Sequence, residues 1–177
     1  SWWQSVPVPT TAVLVGVSGG ADSVGLLRAM VSGPGVADLR VVVGHVDHGL
    51  RGEQSVADSV FVGQLAETLG LEHDVVRVEL DGEDSEEAAR RSRYAALGQM
   101  AVGHGCGAIV VAHTRDDQVE TVLHHLLRGT GLKGLAGMAG RQSLSSGLEL
   151  LRPFLDVGRE DIQRWLRSLG QSWREDS

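Results

Sequence analysis

Cysteine, lysine and aromatic side chains are nearly absent from these 177 residues, and each shortage excludes something. Cys106 is the one cysteine. A single thiol cannot close an internal disulfide, which excludes a disulfide-framed secreted scaffold and suits a reducing cytoplasm. Aromatics make up only 4% of the chain. No apolar run approaches the ~20 residues a membrane span requires. The opening Ser1-Trp2-Trp3-Gln4 lacks the basic-then-apolar order of a secretory signal, so no membrane partner is expected. Positive charge is also short: 16 Lys plus Arg against 23 Asp plus Glu leave a formal net charge of −7. That balance argues against a general nucleic-acid coat, although a local basic patch remains compatible with it. Lys133 is the only lysine.

What is present is alternation. Hydrophobic residues make up 42% of the chain, enough for one domain with a real core. Strands are predicted over 13–17, 39–46, 73–78, 108–112 and 148–154, with helices over 22–31, 53–69, 85–103, 115–127 and 158–169. Asp84 or Ser85 is the expected N-cap of the third helix. Short β-to-α turns imply parallel strands and right-handed crossovers, hence an α/β fold with a doubly wound open, mainly parallel sheet and helices on both faces. Residues 129–138 carry five glycines and no helical stripe, and read as a mobile loop. In such sheets ligands sit outside the carboxyl ends of the strands. Segments 18–23, 45–52 and 113–121 lie there, and so does the unusual chemistry.

Ser18-Gly19-Gly20-Ala21-Asp22-Ser23 joins a β-branched strand to an apolar helix. Glycines let backbone N–H groups approach an anion, and the helix N-terminus adds its dipole. The Gly-Lys-Ser/Thr ending of a Walker loop is missing, as is the third glycine of a dinucleotide fingerprint. The loop therefore reads as a cradle for pyrophosphate or an ATP tail. Asp22 beside it would be repulsive without a metal or cationic substrate, which favours a Mg²⁺ or substrate role over a plain N-cap.

Helix 115–127 is expected to bury Val119, Val122, Leu123, Leu126 and Leu127, while Asp117, Glu120, Thr121 and His124 line the other face. His113 and the pair Asp116-Asp117 at its start suit Mg²⁺ and polyphosphate. Arg90, Arg93, Tyr94 and Leu97 share a helical face, aiming two arginines into a cleft, against the alternative of weak pairs with Glu86 and Glu87. His45 and His48 with Asp47 suggest a metal, but zinc needs three or four ligands and no further one is near. Cys106 reads as inert packing.

The strand–Ser-Gly-Gly-Ala-Asp-Ser–helix unit resembles the PP-loop of the N-type ATP pyrophosphatases, an adenine nucleotide alpha hydrolase-like fold. Four further stretches resemble the tRNA(Ile)-lysidine synthetases: residues 45–51, Ala89-Arg90 with Arg93-Tyr94, residues 116–121 with 126–129, and Gly134-Leu135-Ala136-Gly137-Met138. Arg152-Pro153-Phe154-Leu155 and the terminal Trp173-Arg174-Glu175-Asp176-Ser177 fit the same series. Many family members have Gly-His where this chain has Ala112-His113, and family members continue past its end into tRNA-binding regions. Residues 1–177 are thus expected to be a single catalytic domain cut from a larger protein.

The resemblance implies a carbon–nitrogen ligase that uses ATP with Mg²⁺. ATP adenylates the 2-oxygen of the wobble cytidine of tRNA(Ile) with a CAU anticodon, and the amine of free L-lysine then displaces AMP to give lysidine. Ser18, Gly19, Gly20, Ala21, Asp22, Ser23, His45, His48 and His113 would bind ATP. Asp22, Arg90, Arg93 and Asp117 would be catalytic, Asp22 and Asp116 would hold Mg²⁺, Asp117 and Glu120 would hold lysine, and Arg128 and Lys133 would touch tRNA. A homodimer is compatible with this reading. The alternatives are a 2-thiolating PP-loop tRNA enzyme, which needs cysteine pairs, and a non-catalytic ATP-binding module.

Overall fold

The computed structural model of the protein describes residues 11–33, 36, 38–47, 53–78, 86–129, 136–144 and 146–175. Its strands are β1 (Ala12–Gly16), β2 (Arg40–Asp47), β3 (Glu72–Arg77), β4 (Ala108–Val110), β5 (Arg141–Ser143) and β6 (Glu149–Leu151). Its helices are α1 (Ala21–Ser32), α2 (Glu53–Thr68), α3 (Glu86–Gly103), α4 (Arg115–Leu127) and α5 (Arg159–Ser168). The strands form one sheet in the order β3-β2-β1-β4-β6-β5. Every pairing is parallel except that of β5 with β6.

The central strand shows why its residues are apolar on both sides. Val13, Val15 and Val17 face α1, α2 and α5 through Val24, Leu27, Val62, Ala66, Ile162 and Leu166. Leu14 and Ala12 face the opposite layer, where Ala96, Leu97 and Met100 of α3 cover them. Val13, Leu14 and Val15 are fully buried. Each such side chain contributes roughly 1.5–3 kcal/mol of transfer free energy. Cys106 is a buried free thiol in the α3-facing layer, before the amino end of β4.

One contact positions the site. Helix α5 packs on α1, and a Cβ added at Gly25 would collide with Ile162. That close approach brings the first turn of α5, with Arg159, beside the first turn of α1, with Asp22.

The structure departs from the sequence reading in three places. Strand β5 was not expected: Arg141–Ser143 runs antiparallel to β6 as an edge hairpin stitched by Arg141 and Ser143 to Glu149. The predicted strand over 148–154 shortens to Glu149–Leu151, because Pro153 and the following turn cannot continue the ladder. The apolar stripe of α4 is not buried. Val119, Leu123 and Leu126 are more than half exposed and Leu127 is 85% exposed, and the helix has no buried residue. Periodicity reports that a helix has an apolar face, not what covers it. Asp84, Ser85 and most of segment 129–138 lie outside the described residues.

Candidate active site

A cavity of about 1490 Å³ opens at the carboxyl ends of the strands. It exceeds the ~300–1,000 Å³ of ordinary single-ligand sites and so has room for two substrates. Its walls are Ser18, Asp22 and Ser23 of the turn after β1, the ends of β2 and β4, the arginine-bearing face of α3, the acidic face of α4, and Gly137, Met138, Ala139 and Gln142 with Arg152.

The turn after β1 is built as a cradle. Gly19 has φ +100°, a conformation that disfavours any side chain. Gly20 precedes α1 and offers no side-chain cap, so the first N–H groups of the helix have no capping side chain to compete with an anion. Ser23 is buried and braces the turn. Its Oγ accepts from the N–H groups of Ser18 and Gly19, 3.2 Å each, and donates to the Gly20 carbonyl at 3.0 Å. Ser18 Oγ lies 3.2 Å from the same hydroxyl. The chain returns to this turn at its far end: the Arg174 N–H donates to the Gly19 carbonyl at 2.9 Å, and the Arg174 side chain pairs with Asp58 of α2 at 2.8 Å.

On one side of the cavity stands an acidic wall. Arg159 Nε donates to Asp22 Oδ2 at 3.0 Å, its Nη2 donates to Asp117 Oδ1 at 2.5 Å, and its Nη1 lies 4.0 Å from Glu120. The Arg159 backbone N–H donates to Asp116 Oδ2 at 3.0 Å. One arginine thus ties the first turn of α1 to the start of α4. Burial raises the pKa of Asp22 above the ordinary carboxylate value, although Arg159 opposes the shift. Asp22 Oδ1 is buried without a hydrogen-bond partner, which suits a cation. Asp117 has a second duty: Thr114 N and Oγ1 both donate to its Oδ2, at 2.7 and 2.8 Å, closing a capping box at the start of α4.

The other side is mainly basic, with Glu87 of α3 beside its arginines. Arg90 and Arg93 of α3, Arg152 after β6 and His113 after β4 face the same space. Arg90 stacks on Tyr94 with its guanidinium carbon 5.3 Å from the ring centre. Burial, then the charges of Arg152 and Arg90, hold the pKa of His113 down to about 4, so it is neutral at pH 7.

Most of the sequence-predicted residues meet here: Ser18, Asp22, Ser23, Arg90, Arg93, His113, Asp117, Glu120 and Arg128 all line the cavity. His45 does not. The pleat places Gly44 and Val46 on the cavity side, while His45 is buried with Nδ1 2.7 Å from the Val17 carbonyl. Asp116 is exposed, and the backbone N–H of Arg159 holds its pKa below the usual range. It is not among the cavity-lining residues, although its charge acts on Asp22 and Arg159 donates to both carboxylates. His48 and Lys133 lie outside the described residues.

Sequence reasoning missed Arg159 and assigned Arg152 no role. It also missed Gln118, whose amide brackets Met138 by donating to its carbonyl at 2.9 Å and accepting its N–H at 2.7 Å. The capping duty of Asp117 also went unread, although the Thr114-x-x-Asp117 spacing signals it.

Comparison with known proteins agrees with this geometry. The PP-loop domain family matches residues 4–177. The tRNA(Ile)-lysidine synthase of Deinococcus deserti is 46% identical over 177 residues, which cover 96% of this chain and 31% of that protein. That of Deinococcus radiodurans is 47% identical, covering 93% and 27%. That of Solibacter usitatus is 44% identical, covering 93% and 36%. The chain therefore spans about a third of the length of these relatives. Among solved structures, a U34-tRNA thiolase from Methanococcus maripaludis with its [4Fe-4S] cluster superposes with a TM-score of 0.74. It is 18% identical and covers 95% of this chain and 59% of its own, a likeness of fold alone. By motif, sheet order and family match, the chain belongs to the PP-loop domain family.

Proposed function

We propose that this chain is the catalytic PP-loop domain of a tRNA(Ile)-lysidine synthase, a carbon–nitrogen ligase. The observation that carries the reading is identity of 44–47% with such enzymes over at least 93% of the chain. ATP lies with its diphosphate on the 18–23 turn and its adenosine toward Gly44 and Val46 at the end of β2. The 2-oxygen of the wobble cytidine attacks the α-phosphorus, and pyrophosphate leaves. The lysine amine then attacks C2 of the base, the C2–O bond breaks, AMP departs and the amine loses a proton. Arg90 and Arg93 offset the charge that develops at the α-phosphate. Asp117 and Glu120 hold the lysine ammonium.

Mg²⁺ fits the unpartnered Oδ1 of Asp22, since that ion takes one or two carboxylates and completes its shell with phosphate oxygens and water. When bound it would neutralise phosphate charge. Asp116, whose charge reaches Asp22, is the second carboxylate in this reading.

The thiolase reading is the weaker one for this chain. Cys106 sits before the amino end of β4, at the opposite end of the strands from the cavity. Incorporation of labelled lysine into tRNA(Ile) bearing CAU tests the proposal. ATP-dependent incorporation that disappears when the anticodon cytidine is replaced is the expected result. Sulfur transfer, or pyrophosphate release indifferent to tRNA(Ile), would overturn it.

A further inference from the structure

Arg152 is 4% exposed, yet no carboxylate among the described residues pairs with it. Its Nη1 donates to the Ala139 carbonyl at 2.8 Å and its Nη2 lies 3.3 Å from Gln142 Oε1, while Nε is buried with no partner. A guanidinium is a permanent cation, and a buried one without a counter-ion is costly. Three further facts place the missing anion in the cavity. Arg152 lines it. His113 Nδ1, on the neighbouring strand end, is also buried without a partner. Arg90 and Arg93 face the same space and form no ion pair among the described residues.

The sheet order says which anion. Arg152 follows β6, two strands from β1 and on the side away from β2. At ~4.8 Å per strand that is roughly 10 Å from the PP-loop, beyond the triphosphate that the loop cradles and opposite the adenosine. A group this deeply buried suits a small ligand better than a polynucleotide backbone.

We propose that Arg152, with His113 beside it, forms an oxyanion subsite that takes the carboxylate of the amino-acid substrate. The inference rests on the lysine-dependent reading above and deepens it. One wall then holds an amine and the other the carboxylate, so the cavity selects an amino acid over a simple amine. A bidentate guanidinium–carboxylate pair would occupy Nε and one Nη together, which requires the Gln142 contact to yield.

The test compares L-lysine with 1,5-diaminopentane, which has both amines and no carboxylate. Binding of each is measured by calorimetry with Mg-ATP present, for the chain, for Arg152→Lys and for Arg152→Met. The unmodified chain is expected to prefer lysine by tenfold or more. Both variants should lose that preference while binding of ATP and of the diamine stays within about twofold. Should Arg152→Met fail to fold, the unmodified chain and Arg152→Lys still decide the matter.

Equal affinity of the unmodified chain for lysine and diamine overturns the subsite. So does a preference that survives in Arg152→Lys and Arg152→Met, or a variant that weakens only tRNA binding, which would reassign the cation to an RNA phosphate. Absence of lysine binding together with absence of tRNA-dependent pyrophosphate release would instead sink the lysidine reading itself.

Discussion

Asp22 and Asp117 on one side of the cavity share a guanidinium, whereas Arg90, Arg93 and Arg152 on the other share no carboxylate among the described residues. The acidic wall is partly neutralised by the fold itself, through Arg159. The basic wall is not. Charges quenched internally serve assembly as well as chemistry, because Arg159 also ties α5 to α1 and α4. Charges left unmatched beside a cavity mark where ligand charge belongs.

The largest effect expected from breaking this contrast follows removal of the Asp22 charge. Asp22→Asn should cost ~10²–10³-fold in tRNA-dependent pyrophosphate release. Release within tenfold of the unmodified chain would mean that this half-buried carboxylate is structural only.

His113 sharpens the comparison through pH. Its folded pKa of about 4 lies below the unfolded value of 6.5, so the unfolded chain binds more protons between these limits. Its contribution to stability is therefore complete above pH 6.5 and is lost as pH falls through 4. The loss is of the order of ~3 kcal/mol. The groups acting on it are Arg152, Arg90 and Arg93, which lower the pKa, and Asp117, which raises it. Denaturation midpoints across this window should flatten in His113→Asn. An unchanged pH slope would contradict the burial argument.

Arg159→Met should lower the melting temperature by about 2–4 °C, the equivalent of ~1 kcal/mol for a partly exposed pair in a domain of this size. It should also enlarge the stabilisation that added Mg²⁺ provides, because two carboxylates would lose their internal cation. A melting temperature that neither falls nor responds more to Mg²⁺ would remove Arg159 from the account. Smallest of all is Leu127→Ala on the exposed face of α4, expected to change stability by less than ~0.5 kcal/mol. A larger loss in urea unfolding would show that this face is covered.

The legible parts of the molecule were the local ones. β1, the 18–23 turn and α1 follow one another within 21 residues, from Ala12 to Ser32, so strand pattern, glycines and helix stripe sit in one readable stretch. The arginine face of α3 and the acidic face of α4 were legible for the same reason, as spacing within one helix. Arg159 was not. It meets Asp22 across 137 positions of sequence, and only the packing of α5 on Gly25 brings them together. Arg152 was legible as part of the Arg152-Pro153-Phe154-Leu155 resemblance but not as a buried cation, because the Ala139 and Gln142 groups that hold it come from a separate segment. His45 was misplaced on the cavity wall because one residue of register decides which face of a strand a side chain occupies. The stripe on α4 failed differently: the amphipathic pattern was real, but amphipathicity does not name a partner.

Amide hydrogen exchange with and without Mg-ATP tests the central claim most directly, because the cradle is made of backbone N–H groups. The account predicts added protection at residues 18–23, led by the uncapped first turn of α1. Nucleotide binding that protects other segments and leaves 18–23 unchanged would contradict it.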